Sequence, residues 1–174
     1  MLIQLGGQKQ PAQGPVELLL ECHERIRTFV ALARRAGEQP DATAAEIVDA
    51  CERVERYFTK ALPLHVADEE QSLLPRLRGT SVEVDRALEA MAAQHAGHEA
   101  KLRALLSASS AVRARPGDAA GHRALFDAAD ELARDFDHHL ADEERIVFPL
   151  VRALPAGEQA EIVAEVRRRR HPGA

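Results

Sequence analysis

The chain has 174 residues and a formal charge of −5, long enough for one domain to bury about 70% of its unfolded surface without staples. That acidic balance argues against a nucleic-acid partner, which needs a basic surface, and no stretch approaches the roughly 20 apolar residues of a membrane span. The polar start, MLIQLGGQKQPAQGP, lacks the apolar run of a secretory signal, and two cysteines without a pairing pattern, Cys22 and Cys51, fit small buried hydrophobes in a reducing cytoplasm.

Alanine, leucine, glutamate and arginine dominate and no segment reads as a strand, so the expected class is all-α. Residues 1–14, rich in Gln, Gly and Pro, are expected to form a flexible N-terminal arm ahead of a helical bundle over 15–155. Pro15 suits a first helical position. From it, positions 16, 19, 23, 26, 30 and 33 form a seam in steps of three and four, with His23 inside the series. This helix is expected to stop near Gly37, before Gln39-Pro40. Asp41 or Thr43 can cap the second helix, whose buried face runs through Val54, Phe58, Ala61 and Leu62, His65, Glu69 and Leu73. Pro63 and Pro75 should kink or end it, and Gly79 closes it. Thr80-Ser81-Val82-Glu83 has the form of a capping box opening the third helix. The third seam is Val84, Leu88, Met91, His95, His98, Leu102 and Leu105. After the loop Arg115-Pro116-Gly117-Asp118, the fourth seam is Leu125, Ala129, Leu132, Phe136, His139, Glu143, Val147 and Leu150. Residues 156–174 are expected to form a short fifth helix or tail, with Arg167 to Arg170 as a solvated charge run.

The chain also repeats itself. HVADEEQSLLPRLR at 65–78 aligns without a gap on HLADEERIVFPLVR at 139–152. His23 stands 42 residues before His65, and His98 stands 41 before His139. Two related helix pairs result, each with a histidine on its first helix and His-x-x-x-Glu on its second.

Histidines and glutamates thus replace apolar residues in the seams of all four helices. An unpaired buried carboxylate costs several kcal/mol even after relaxation, and a divalent cation removes that cost. Residues four apart share a helix face, about 6 Å apart along the axis. A His and Glu so placed can converge on one metal pair. Imidazole with carboxylate suits iron, manganese or zinc. Two glutamates from two helices can bridge two ions, histidines can fill the outer positions, and too few protein ligands remain to saturate both. The expected metal ligands are His23, His65, Glu69, His95, His98, His139 and Glu143. His95 and His98 compete; both can bind, and His95 is slightly preferred. Ferritin-like bundles use Glu-x-x-His, and no glutamate here has a histidine three residues on.

The pattern resembles the hemerythrin-like, or HHE cation-binding, family: His23 on helix one, His65 with Glu69 on helix two, His95 or His98 on helix three, His139 with Glu143 on helix four. The Glu-Glu pairs and Pro75 and Pro149 add to the likeness, which spans about residues 15–155. The resemblance implies an up-down-up-down four-helix bundle, an arrangement that myohemerythrin illustrates, and a non-haem, oxo- or hydroxo-bridged pair of iron ions. Oxygen-carrying members have two helix-three histidines four apart and His-x-x-x-x-Asp on helix four. Here His95 and His98 are three apart and Glu143 follows His139 by four. The resemblance therefore implies sensing of dioxygen, peroxide or nitric oxide, or iron handling, at least as much as oxygen carriage. An oxidase or peroxidase, or a metal-stabilised iron-storing bundle, is the alternative.

Among the remaining polar residues, Asp68, Glu70, Asp142 and Glu144 are expected to be solvated charge, with one of each pair able to orient a ligand histidine from behind. His138 is expected at the surface and Tyr57 in packing. Cys22 points about 100° away from its neighbour His23 on the helix and is not expected to ligate.

Overall fold

Val16, Leu19, His23, Ile26, Val30 and Ala33 all turn inward along α1 (Pro15–Glu38). The structure, a computed structural model, describes residues 13–38 and 42–171; all of the expected arm but Gln13 and Gly14 lies outside them. α2 covers residues 44–77, α3 is Val82–Ala114, α4 covers residues 119–153 and α5 is Ala156–Arg170. No strand occurs among the described residues.

The first four helices form an up-down-up-down bundle. Short connections reverse the chain at each step, and α1 packs on α2 and α4 while α3 packs on the same two. Thr43 begins α2 with a reciprocal capping box: its hydroxyl accepts from the Glu46 N–H, and the Glu46 carboxylate accepts from the Thr43 N–H. The box expected over Thr80 to Glu83 does not form; a simple cap one residue on replaces it. Ser81 caps α3 by accepting from the Val84 N–H, while Thr80 donates its hydroxyl to the Leu77 carbonyl and closes α2. Gly79, at φ 79°, makes the turn between them.

Gly37 stands one residue before the end of α1 at Glu38, where the sequence expected the helix to stop. It lies against the α4 backbone: a Cβ there would lie 2.7 Å from the Phe126 nitrogen and 2.9 Å from the His122 carbonyl oxygen. Backbone atoms cannot yield as a side chain does, so the contact needs a residue without Cβ.

The prolines neither break nor terminate the helices at once. Each is preceded by a π-turn: Tyr57–Ala61 before Pro63, Glu69–Leu73 before Pro75, and Glu143–Val147 before Pro149. Proline lacks an N–H and its ring crowds the carbonyl four residues back. Widening the helix by one residue relieves this, and the residue before each proline donates five residues back: Leu62 to Tyr57, Leu74 to Glu69, Phe148 to Glu143. Such bulges are rare and concentrate at functional sites. Two of these begin on the glutamates of the repeated motif.

The apolar core falls into two parts. One gathers Ile26, Val54, Phe58, Leu105, Leu132 and Phe136 toward the α1 C-terminal end. The other gathers Leu19, Leu73, Met91, Phe148, Ile162 and Val166 toward the α1 N-terminal end. The histidines and glutamates lie in the layer between.

α5 covers the second part of the core with Ile162 and Val166. Its arginines correct two expectations. Asp68 is not solvated but fully buried, and Arg169 and Arg170 both pair with it. Half of the arginine run is therefore a structural clamp. Ser72 and Arg76 extend the clamp by hydrogen bonds to Glu165. No described helix is long and apolar enough to cross a membrane.

Candidate metal centre

Six side chains from four helices converge between the two halves of the core. α1 supplies His23, α2 His65 and Glu69, α3 His95, and α4 His139 and Glu143. The ligand atoms of His23, His65, Glu69 and Glu143 all lie within 4.8 Å of one another, as do those of Glu69, His95, His139 and Glu143. Both glutamates belong to both groups. His65 Nε2 is 3.2 Å from Glu69 Oε1, and His23 Nε2 is 3.2 Å from Glu143 Oε2. On the other side, His95 Nε2 is 3.2 Å from Glu69 Oε2, and His139 Nε2 is 3.2 Å from Glu143 Oε1. Each carboxylate thus turns one oxygen to each histidine pair.

The residues fit a pair of cations. Both oxygens of Glu69, both of Glu143, His23 Nε2 and His65 Nε2 are buried and have no hydrogen-bond partner. Native proteins leave only a few such groups unpaired and seldom cluster them, because each costs about 1–3 kcal/mol, and more when charged. The spacing agrees too. Two donors each about 2.1 Å from one ion, at right angles, stand about 3.0 Å apart; His95 Nε2 and His139 Nε2 are 3.1 Å apart.

Behind the candidate ligands, three of the four imidazoles are fixed through Nδ1. His23 Nδ1 meets Glu144 Oε1 at 2.8 Å, His95 Nδ1 meets Glu70 Oε1 at 3.1 Å, and His139 Nδ1 meets Gln94 Oε1 at 2.8 Å. Such contacts set the tautomer and aim Nε2 inward. One member of each flanking acidic pair, Glu70 and Glu144, has this position, as the sequence allowed. Each reaches across to a histidine on another helix. Arg27 also donates to Glu144. Sequence reasoning passed over Gln94 and Arg27; a single polar side chain beside a ligand carries no periodic signal.

The electrostatics divide the histidines. Burial opposes protonation of His23 and His95, but the carboxylates of Glu143 and Glu69 outweigh it and raise their pKa values to about 9 and about 10. Burial prevails at His65 and His139, whose values fall. Burial also opposes ionisation of Glu69, yet the imidazoles of His65, His23 and His95 hold its pKa well below the usual carboxylate range.

His98 stands apart. It is in neither group, although it is buried, and its ring lies 5.0 Å from His139 and 4.7 Å from Phe136. Burial, then the neighbouring His139, lower its pKa to about 4. It makes no hydrogen bond to another described residue and lines a cavity of about 30 Å³ with His65, His95 and His139, closed by Ile26, Leu102 and Phe136. That volume is about one water molecule's share of the liquid.

The other residues singled out lie off the centre. His138 is exposed, and Asp142 pairs with Arg145 at the surface. Tyr57 is buried and stacks on Phe29 at 4.1 Å. Cys22 and Cys51 are buried free thiols, and Cys22 Sγ accepts from Arg170. His122 bridges the α1 C-terminal end to the loop between α3 and α4, with Nδ1 at 2.8 Å from the Ala36 carbonyl and Nε2 at 2.7 Å from that of Pro116.

Comparison with known proteins agrees with this geometry. An uncharacterized protein of Haemophilus influenzae is 27% identical over 86 residues, 47% of this chain and 48% of that protein, so the chain spans about half the length of this curated relative. The family model described as the hemerythrin HHE cation binding domain matches twice, over residues 14–120 and 86–171. The two matches overlap on α3, and each contains one copy of the repeated His-x-x-x-Glu segment. The layer of buried imidazoles and carboxylates and this double match lead to one conclusion: the chain belongs to the hemerythrin HHE cation-binding domain family.

Proposed function

We propose that the chain holds two non-haem iron ions and uses them, in a reducing cytoplasm, to bind or sense dioxygen or a related small molecule such as peroxide or nitric oxide, or to handle iron. The observation that carries this reading is the division of both carboxylates, one oxygen of each facing His23 and His65 and the other facing His95 and His139. Glu69 and Glu143 would hold both ions between them, and the histidines would serve as terminal ligands. Imidazole with carboxylate suits iron, while manganese and zinc can occupy such donors. Four protein donors on each side leave a six-coordinate ion room for an outside ligand. When bound, the iron pair supplies reversible redox chemistry; the protein supplies position and exclusion of water. The same ligands would serve an oxidase or peroxidase. The adjoining cavity of about 30 Å³ favours a diatomic or peroxide over an organic substrate.

Metal quantitation with a visible absorption spectrum tests the proposal. About two irons per chain are expected, and Glu69→Ala should lose at least one of them. Zinc alone in protein produced with ample iron would sink the iron reading, and a Glu69→Ala protein retaining both ions would refute the bridge. A reversible spectral change on exposing the reduced protein to oxygen indicates carriage, rapid oxidation indicates sensing, and peroxide turnover above free-iron controls indicates an enzyme.

A further inference from the structure

We infer that His98 is the hydrogen-bonding residue of the ligand pocket rather than a metal ligand, positioned to hold a small anion or diatomic molecule bound at the metal pair. This rests on the function proposed above. Three observations carry it. First, the nitrogens of His98 fall outside both groups of converging ligand atoms, so neither candidate ion needs it. Second, the ring is only 6% exposed and has no hydrogen-bond partner among the described residues. Third, the cavity that His98 lines is bounded by His65, His95 and His139, which serve both sides of the centre, and its remaining walls are apolar.

Among the side chains lining that cavity, the candidate ligands turn Nε2 toward the glutamates, and Ile26, Leu62, Val66, Leu102 and Phe136 offer no polar atom. His65 also keeps a buried Nδ1 without a partner, but a ring whose Nε2 faces the glutamates turns Nδ1 away from them; His98 is the lining histidine with both nitrogens uncommitted to the centre. A neutral imidazole carries one N–H, which can donate to the outer atom of a bound ligand. Phe136 and His139 pack on the ring and fix its position without using its nitrogens. Hydrogen bonds to charged groups are the stronger kind, so the effect should be largest for an anion.

Azide binding to the iron-loaded full chain tests this, with wild type compared to His98→Leu and His98→Gln by optical titration and metal quantitation. Both variants should keep about two irons. Azide affinity should fall about tenfold in His98→Leu, the loss expected for one charged hydrogen bond, and recover in part in His98→Gln, which restores a donor. Equal affinity in all three proteins overturns the proposal. So does loss of iron from both variants while their helical circular dichroism persists, because His98 is then a ligand. If His98→Leu fails to fold, His98→Gln against wild type still decides: unchanged azide affinity and spectrum overturn the proposal. Failure of the wild type itself to load two ions is a distinct result and sinks the reading of the centre.

Discussion

At the scale of single residues, the candidate centre depends on groups that do not touch a metal. Glu144 holds His23 Nδ1 and is itself held by Arg27. Losing such an outer partner typically costs 10–100-fold in metal affinity. Glu144→Ala should therefore weaken metal binding on the His23 side by at least about tenfold, measured by competition with a chelator; equal affinity would show that the ring is aimed by packing alone. Protons report on the same groups. Without metal, His23 and His95 have pKa values raised to about 9 and about 10. A raised folded-state value stabilises the metal-free fold fully below the ordinary value near 6.5 and loses that contribution as pH rises through the folded values. Metal binding runs the opposite way, since the cation must displace those protons. Uptake should release protons at neutral pH, and apparent affinity should rise with pH toward about 9. Calorimetry in two buffers of different ionisation enthalpy measures the release; equal heats in both would remove the claim.

At the scale of elements, the π-turns and α5 explain how bundle helices carry prolines and a buried acid beside the site. The turns that accommodate Pro75 and Pro149 start at Glu69 and Glu143, so both carboxylates leave the helix where its backbone is widened. α5 clamps the adjacent segment of α2 through Asp68, a fully buried carboxylate paired with Arg169 and Arg170. Removing both arginines leaves that charge without a partner, which typically costs about 3–5 kcal/mol. The double variant Arg169→Ala, Arg170→Ala should lose about that much stability in denaturant unfolding, and adding Asp68→Asn should restore part of it. A double variant as stable as wild type would mean that α5 contributes nothing through this clamp.

At the scale of the whole molecule, the bundle has two apolar ends and a charged waist. The waist is the part the hydrophobic effect cannot hold together, and a ligand bound only to the folded state stabilises it by mass action, about 2.7 kcal/mol at a hundred times the dissociation constant. Stripping metal with a chelator should lower the melting temperature by several degrees, since 1 kcal/mol shifts it by about 2–4 °C in a chain of this size. Restoring the metal should reverse the change. An unchanged melting temperature would mean that the waist is satisfied without a cation. Much of this was legible in the sequence. The four seams state which face of each helix is buried, and periodicity alone put histidines and glutamates on those faces, because a helix fixes direction every residue. The duplicated His-x-x-x-Glu segment gave the family resemblance that the double match then bore out. What the sequence alone determined was therefore local: helix, face and ligand type. Tertiary structure decided which of His95 and His98 stands among the converging atoms, that Gln94, Glu70 and Glu144 reach across to histidines on other helices, that Gly37 meets the α4 backbone, and that Arg169 and Arg170 turn inward to Asp68. The physical reason is common to all four. Each depends on the distance and rotation between two helices, which long-range packing sets and no repeat along one chain segment encodes.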